Sequence, residues 1–125
     1  MGAQQPDRNA SDGESCCQPG AHGLSEDELA DDVGTLSALG NDTRYEALRL
    51  IAESDEGVCV CELEPALGVS QGAVSQALSR LYAAGLVSRR KEGRWRYYTA
   101  TDRARRLLGA LDESRPTDAE GHDDE

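Results

Sequence analysis

Apolar residues recur at helical spacing in several stretches of the chain and alternate with polar ones in another. Along the first stretch they stand at i, i+4 and i+7, as Leu29, Val33 and Leu36. This spacing places them on one face of a helix. Ser25 with Glu28 three residues later forms a capping box, which marks a helix start. We therefore predict an amphipathic first helix that ends near Gly40.

Two more amphipathic helices follow from the same spacing. The second is capped by Asn41 or Asp42, and its apolar side holds Tyr45, Leu48, Ile51 and Ala52. The last helix begins at Thr101, and its apolar stripe holds Ala104, Leu107, Leu108 and Leu111. We expect that stripe to lack a partner within the chain and to pack, with the first helix, against a second copy in a homodimer.

A short helix over residues 62–67, a tight turn at Gly68 and a longer helix over residues 71–84 predict a helix-turn-helix. Ser70 is a good N-cap for the longer helix. Its core-facing positions are Val74, Leu78 and Leu81. The opposite face holds Gly72, Ser75, Gln76, Ser79, Arg80 and Ala83, all small, polar or basic. Such a face, without carboxylates, can enter a DNA major groove.

A β-hairpin is predicted after the helix-turn-helix. Its strands span residues 86–90 and 94–99, joined by a turn at residues 91–93 that contains Gly93. Alternation places Trp95 and Tyr97 on one face, which we expect to pack on the helices. Arg94, Arg96 and Tyr98 then lie on the other face, which leaves the arginines free to hold phosphates.

These elements predict a mainly α fold with a small β-hairpin (α+β) of the winged helix-turn-helix type, over residues 24–113. Residues 1–23, which carry Cys16 and Cys17, and the acidic residues 114–125 have too few large apolar side chains to join a core. We expect both tails to be disordered. There is no signal peptide and no apolar run long enough to span a membrane, so we expect a cytoplasmic protein.

The charge of the chain is unevenly distributed. The net charge is −11, yet residues 80–106 carry nine basic and two acidic residues, a local charge of +7 that leaves −18 for the rest. A basic patch of this kind is the electrostatic signature of a nucleic-acid interface. The basic residues are Arg80, Arg89, Arg90, Lys91, Arg94, Arg96, Arg103, Arg105 and Arg106.

Cys59 and Cys61 stand at the start of the first helix of the helix-turn-helix. In regular helical geometry their side chains would point roughly 200° apart. They can converge on one ion where the backbone is extended. A helix N-terminus also lowers a thiol pKa and so favours the thiolate that binds metal.

The order of capped helices, Cys59-Val60-Cys61-Glu62-Leu63, helix-turn-helix, basic hairpin and final helix resembles the ArsR/SmtB family of winged-helix metalloregulatory repressors. The resemblance covers about residues 29–111, including the stretch from Leu39 to Arg44. It implies a dimer that represses an operon by binding double-stranded operator DNA. It also implies that Cys59 and Cys61 bind As(III) or Sb(III), or alternatively Cd(II) or Pb(II), and that DNA is then released.

The chain departs from the family's three-thiol arsenite pattern, because Glu64 stands where the third cysteine would be. A three-sulfur site would then need Cys16 or Cys17, and a four-sulfur cadmium or lead site would need both. Sulfur ligands exclude magnesium and calcium as the intended effector. The family's histidine-containing zinc site is not matched at the start of the last helix.

The candidate DNA-binding residues lie on the helix-turn-helix and the wing. We expect base contacts from the N-terminal half of the longer helix and phosphate contacts from the arginines. The full set is Ser70, Gln71, Ser75, Gln76, Ser79, Arg80, Arg94 and Arg96.

Two other functions remain open at this point. The thiols could form a disulfide in a redox sensor on the same fold. The second alternative is a thiol enzyme or a metal-transfer protein. The only histidines, His22 and His122, lie in the expected tails, so no general base accompanies the cysteines. We expect a regulator, not an enzyme, with no small-molecule substrate.

Overall fold

The computed structural model describes residues 21–116. Five helices and a three-stranded sheet follow in the order α1 (Glu26–Leu39), α2 (Asp42–Ala52), β1 (Val58–Cys59), α3 (Val60–Leu67), α4 (Gln71–Ala83), β2 (Val87–Glu92), β3 (Trp95–Ala100) and α5 (Asp102–Ser114). This is the winged helix-turn-helix predicted from the sequence, with α3 and α4 as the helix pair and β2 and β3 as the wing. Cys16 and Cys17 lie outside the described residues.

The helix starts follow from the predicted capping residues. Ser25 and Glu28 form the reciprocal capping box of α1, with hydrogen bonds of 2.9 and 3.0 Å. The Asn41 side chain accepts from the backbone N–H of Arg44 at the start of α2, and Thr101 caps α5 in the same way. These caps satisfy N–H groups that have no partner within the helix.

The helix-turn-helix is tight because the residue after α3 is a glycine. Gly68 has φ +72°, the left-handed conformation that only glycine adopts without strain. Two residues later Ser70 accepts from the backbone N–H of Ala73 and begins α4. The hydroxyl of Ser70 is therefore engaged as a helix cap.

The sheet contains one strand more than the predicted hairpin. β1 pairs antiparallel with β3, with Val58 opposite Tyr98 and Cys59 opposite Tyr97, so the strand order is β1-β3-β2. At two residues, β1 is too short to show a periodicity in the sequence. The wing strands also extend further than expected, with Glu92 opposite Trp95, so the turn is only Gly93 and Arg94.

The expectation that Trp95 and Tyr97 pack on the helices was wrong. Tyr98 is 5% exposed and belongs to the core, whereas Trp95 is 49% exposed. On the outer face the Arg90 guanidinium instead lies 5.1 Å from the centre of the Tyr97 ring. Aromatic alternation alone could not decide which face is buried, because both faces of β3 carry aromatic residues.

The last helix is tied to the rest of the chain more closely than expected. Ala104 and Leu108 are buried in the common core. Arg105 Nη1 donates to the carbonyl of Ala52 at 3.0 Å, and Arg103 forms an ion pair with Asp31 of α1 at 2.8 Å. The prediction that the whole α5 stripe lacks an intrachain partner was therefore wrong for these two apolar residues.

The apolar side of α1 lies at the surface of the chain. Leu29, Val33 and Leu36 are all exposed, the last by 65%, and Leu111 of α5 is exposed as well. In α1 only Thr35 and Ala38 are buried. The described helices include none that is long and apolar enough to cross a membrane.

The corrected sheet orientation predicts unequal effects of two aromatic substitutions. Tyr98→Ala should lower the free energy of unfolding by about 3 kcal/mol or more, because it leaves a cavity in the core. Trp95→Ala should cost well under half as much, because its ring is half in solvent. Urea unfolding followed by far-ultraviolet circular dichroism measures both, and equal losses would mean that the faces are assigned wrongly.

Candidate nucleic-acid interface and thiol site

The exposed face of α4 matches the face predicted to enter a major groove. Gln71, Ser75, Gln76, Ser79 and Arg80 are all exposed. Val74, Ala77, Leu78 and Leu81 anchor the opposite face in the core. This division follows from the helical period, with one small addition, since Ala77 was not among the predicted core positions.

Two grooves flank this face of α4. The first, of about 570 Å³, lies between α4 and the start of α2 and is lined by Thr43, Ser75, Gln76, Ser79 and Arg80, among others. The second, of about 390 Å³, lies between α4 and the wing. Ser75 and Ser79 line both grooves and so form the ridge between them. A ridge of small polar side chains between two grooves is a shape that a duplex can accommodate.

The groove between α4 and the wing collects the basic side chains of the wing. Arg94 and Arg96, both predicted to bind DNA, line it together with Arg89 and Lys91, which were in the predicted basic patch but not in the predicted DNA-binding set. Arg89 also lies 4.0 Å from the centre of the Tyr82 ring, a cation–π contact that holds its guanidinium in place. Counting alternate positions forward from Val87 would have placed Arg89 and Lys91 on this face.

Other basic residues of the predicted patch are used within the chain. Arg103 and Arg105 hold α5 to α1 and α2, as described above. Arg90 forms an ion pair with Glu92 at 2.8 Å on the outer face of the wing. The basic patch is therefore smaller than the sequence suggests and is concentrated in one groove.

Cys59 and Cys61 converge as the thiol hypothesis requires. Cys59 has extended backbone (φ −84°, ψ 149°) and is the N-cap of α3, whereas Cys61 is within the first turn. The Cys61 thiol donates to Cys59 Sγ, with the sulfurs 2.6 Å apart. Cys59 is 5% exposed, and Cys61 is exposed.

The local hydrogen bonds explain this convergence. The backbone N–H of Cys61 donates to Cys59 Sγ at 3.3 Å, and Glu62 Oε1 accepts from the backbone N–H of Cys59 at 2.9 Å. Together they form a capping box in which a thiol takes the place of the usual hydroxyl. Residue 59 is thus held extended, which turns its sulfur toward residue 61.

The pKa of the Cys61 thiol is raised, which is the opposite of the lowering expected from its place at a helix N-terminus. Its hydrogen bond to Cys59 is the main cause, followed by desolvation and by electrostatic interactions with Cys59 and Glu62. The helix backbone lowers this pKa, but by less. At neutral pH the Cys61 sulfur is therefore a thiol that must lose a proton to become a metal ligand.

The two sulfurs lie close enough to serve as two ligands of one soft metal ion. With metal–sulfur bonds of about 2.3 Å, two thiolates on one ion lie about 3 to 4 Å apart, so the sulfurs must separate by about 1 Å. Rotation of the exposed Cys61 side chain can provide this. Among residues 21–116, no cluster of three or more histidine, cysteine, aspartate or glutamate side chains is arranged to hold a metal.

Comparison with known proteins identifies the family. The model of the bacterial regulatory proteins of the arsR family matches residues 41–89. A relative from Halobacterium salinarum, whose name assigns it to repression of an arsenical resistance operon, is 60% identical over 82% of this chain and 85% of its own length.

Two solved structures show the same fold. NolR from Sinorhizobium fredii is 35% identical, with a TM-score of 0.64 over 74% of this chain and 95% of that one. A homodimeric winged helix-turn-helix domain from Mycobacterium bovis is 27% identical, with a TM-score of 0.64 over 74% of this chain and 87% of that one. With the fold and the Halobacterium relative in agreement, the chain belongs to the arsR family of regulatory proteins.

The raised pKa of Cys61 predicts a pH-dependent ion affinity. Because binding displaces the Cys61 proton, Cd(II) affinity should rise about tenfold per pH unit for each thiol deprotonated, between pH 6 and 8. Sulfur-to-metal charge-transfer absorption measures it in titrations at several pH values. Cys61→Ser should reduce the slope by one proton, and an unchanged slope in that variant would contradict the assignment.

Proposed function

We propose that this arsR-family regulator is a homodimeric repressor that releases operator DNA when As(III) or Sb(III) binds its cysteine thiolates. The observation that carries the proposal is the convergence of Cys59 and Cys61 at the start of α3, directly before the recognition helix α4. The Halobacterium salinarum relative is named for repression of an arsenical resistance operon, which supports the arsenic assignment. Family membership also makes the chain a regulator and not an enzyme.

The DNA contacts we propose follow from the exposed face of α4 and its flanking grooves. Gln71, Ser75, Gln76 and Ser79 contact base edges, and Ser70 lies at the start of the same helix. Arg80, Arg94 and Arg96 hold phosphates on either side. Arg89 and Lys91 join this phosphate-binding set because they line the same groove as the wing arginines.

The ligand set we propose combines the α3 thiols with the N-terminal segment. Cys59 and Cys61 supply two sulfurs, and Cys16 or Cys17 supplies the third of a trigonal site. Both tail cysteines would complete a four-sulfur site suited to Cd(II) or Pb(II), the alternative effectors. Sulfur ligation favours all four ions over magnesium or calcium, so the choice among them falls to experiment.

A homodimer accounts for the exposed apolar side of α1. Leu29, Val33 and Leu36 form a continuous stripe in solvent, joined by Leu111 of α5. Burial against a second copy would remove this stripe from water. The Mycobacterium bovis domain with the same fold is homodimeric. Two copies would present two α4 helices to half-sites about 34–36 Å apart.

The effector test uses fluorescence anisotropy of a labelled duplex from the region upstream of the chain's own gene. Under reducing conditions, arsenite or antimonite should lower DNA affinity by about 5- to 150-fold, the range of typical allosteric coupling. Cys59→Ser is the matched variant, because serine keeps the helix cap and removes the sulfur. It should bind DNA normally and lose the response.

Other outcomes of this titration would change the assignment. Release mainly by cadmium or lead would indicate a divalent-metal sensor. Retained arsenite response in Cys59→Ser would rule out the thiol site. A response only to oxidant, with a defined Cys59–Cys61 bridge in mass spectra, would indicate the redox sensor instead.

The dimer makes a separate prediction. Val33→Asp places a charge in the middle of the proposed interface and should shift the protein from dimer to monomer at micromolar concentration. Ala66→Asp, which adds the same charge at an exposed position on α3, should leave the dimer intact. Sedimentation velocity distinguishes them, and a monomeric unmodified protein would contradict the homodimer.

A further inference from the structure

The groove between α4 and the wing ends at the thiol pair. Cys59, Val60 and Cys61 form one wall, and Gln71, Ser75 and Ser79 of α4 form another. The opposite wall carries the wing cations Arg89, Lys91, Arg94 and Arg96. The thiols therefore open onto the surface that faces DNA in the proposed function, not onto a separate pocket.

We propose that this groove holds a run of DNA backbone and that Cys61 lies against it, so that DNA and a bulky or negatively charged occupant of the thiol pair exclude each other directly. The inference rests on the proposed DNA-binding function and deepens it. Release would then need no long-range rearrangement, because the occupied thiols alter the groove itself. A shape change passed along α3 would be an additional effect.

Charge complementarity identifies DNA backbone as the occupant. The lining residues include four cations and no carboxylate, in a chain whose net charge is −11. A duplex presents one negative charge per roughly 1.7 Å of its axis, so a groove of this kind is matched by consecutive phosphates. The polar hydroxyls of Ser75 and Ser79 add hydrogen-bond donors to the same wall.

Cys61 is the member of the pair that DNA would meet. It is exposed, whereas Cys59 is buried and engaged as the cap of α3. A divalent ion held by four thiolates carries a net negative charge, which would lie near the phosphates and weaken their attraction to the wing. As(III) or Sb(III) held by three thiolates is neutral and would act on the same groove through its bulk.

The test compares two variants of Cys61 whose new side chains have the same size and differ in charge. Cys61→Asp and Cys61→Asn have nearly the same shape, and neither binds a soft ion. DNA affinity of the aspartate variant should be lower by about threefold to tenfold at 0.1 M salt, from one charge about 10 Å from the phosphates. The difference should shrink as salt is raised.

Folding effects have the opposite sign and cannot produce this result. Residue 61 lies in the first turn of α3, where a carboxylate is favoured by the helix dipole. Cys61→Asp should therefore be at least as stable as Cys61→Asn. Ala66→Asp and Ala66→Asn, on the same helix but outside the groove lining, control for net charge and should differ by less than twofold.

A second measurement tests proximity without mutation. N-ethylmaleimide should alkylate Cys61 at least severalfold more slowly when enough duplex DNA is present to saturate the protein. Peptide mass spectrometry measures the rate of alkylation at this residue. Equal DNA affinities of the two Cys61 variants, or unprotected alkylation, would overturn the shared groove. Neither result would affect the arsenite response of the unmodified protein, so failure of this inference is distinct from failure of the proposed function.

Discussion

The capping box between Cys59 and Glu62 fixes the geometry on which both the thiol site and the helix-turn-helix depend. Pro65 has no N–H, so the carbonyl of Cys61 lacks the donor that a helix normally supplies four residues later. The first turn of α3 therefore relies more heavily on its cap. That cap is a thiol, so the atom that caps the helix is also the atom that we propose as a soft-metal ligand.

Cys59 connects three parts of the fold. It pairs with Tyr97 in the sheet, caps α3, and contacts Cys61. In the proposed function, an ion that takes the sulfur of Cys59 competes with the backbone N–H of Cys61 for the same acceptor. That change would alter both the start of α3, which Cys59 caps, and the contact of Cys59 with the wing strand β3. Strand and helix are thus contiguous with the proposed ligand, as physical coupling requires.

The sequence was sufficient where local chemistry decides the structure. Helix starts at Ser25, Asn41, Ser70 and Thr101 were predictable because each cap is a side chain bonding within three residues. The exposed face of α4 followed from its period. The sequence predicted that the thiols converge if the backbone at Cys59 is extended, but it did not show that the backbone is extended there.

The errors arose where contacts between elements distant in the sequence determine burial and strand pairing. Strand β1 exists because β3 offers it an edge, and two residues carry no pattern of their own. Tyr98 is buried and Trp95 exposed because the core covers the opposite face of β3 from the one expected, which alternation cannot reveal when both faces carry aromatic residues. The same holds for Ala104 and Leu108 of α5, whose intrachain partners come from elements far away in sequence. The predicted basic patch was too large for the same reason, because Arg103 pairs with Asp31 of α1.

In the proposed function, the acidity of the chain and the cationic groove beside α4 have opposite effects on DNA. A net charge of −11 would repel a duplex from most of the surface, and the four cations of the groove would attract it to one face. Approach in other orientations would be disfavoured, so net acidity would restrict binding to the face that carries α4.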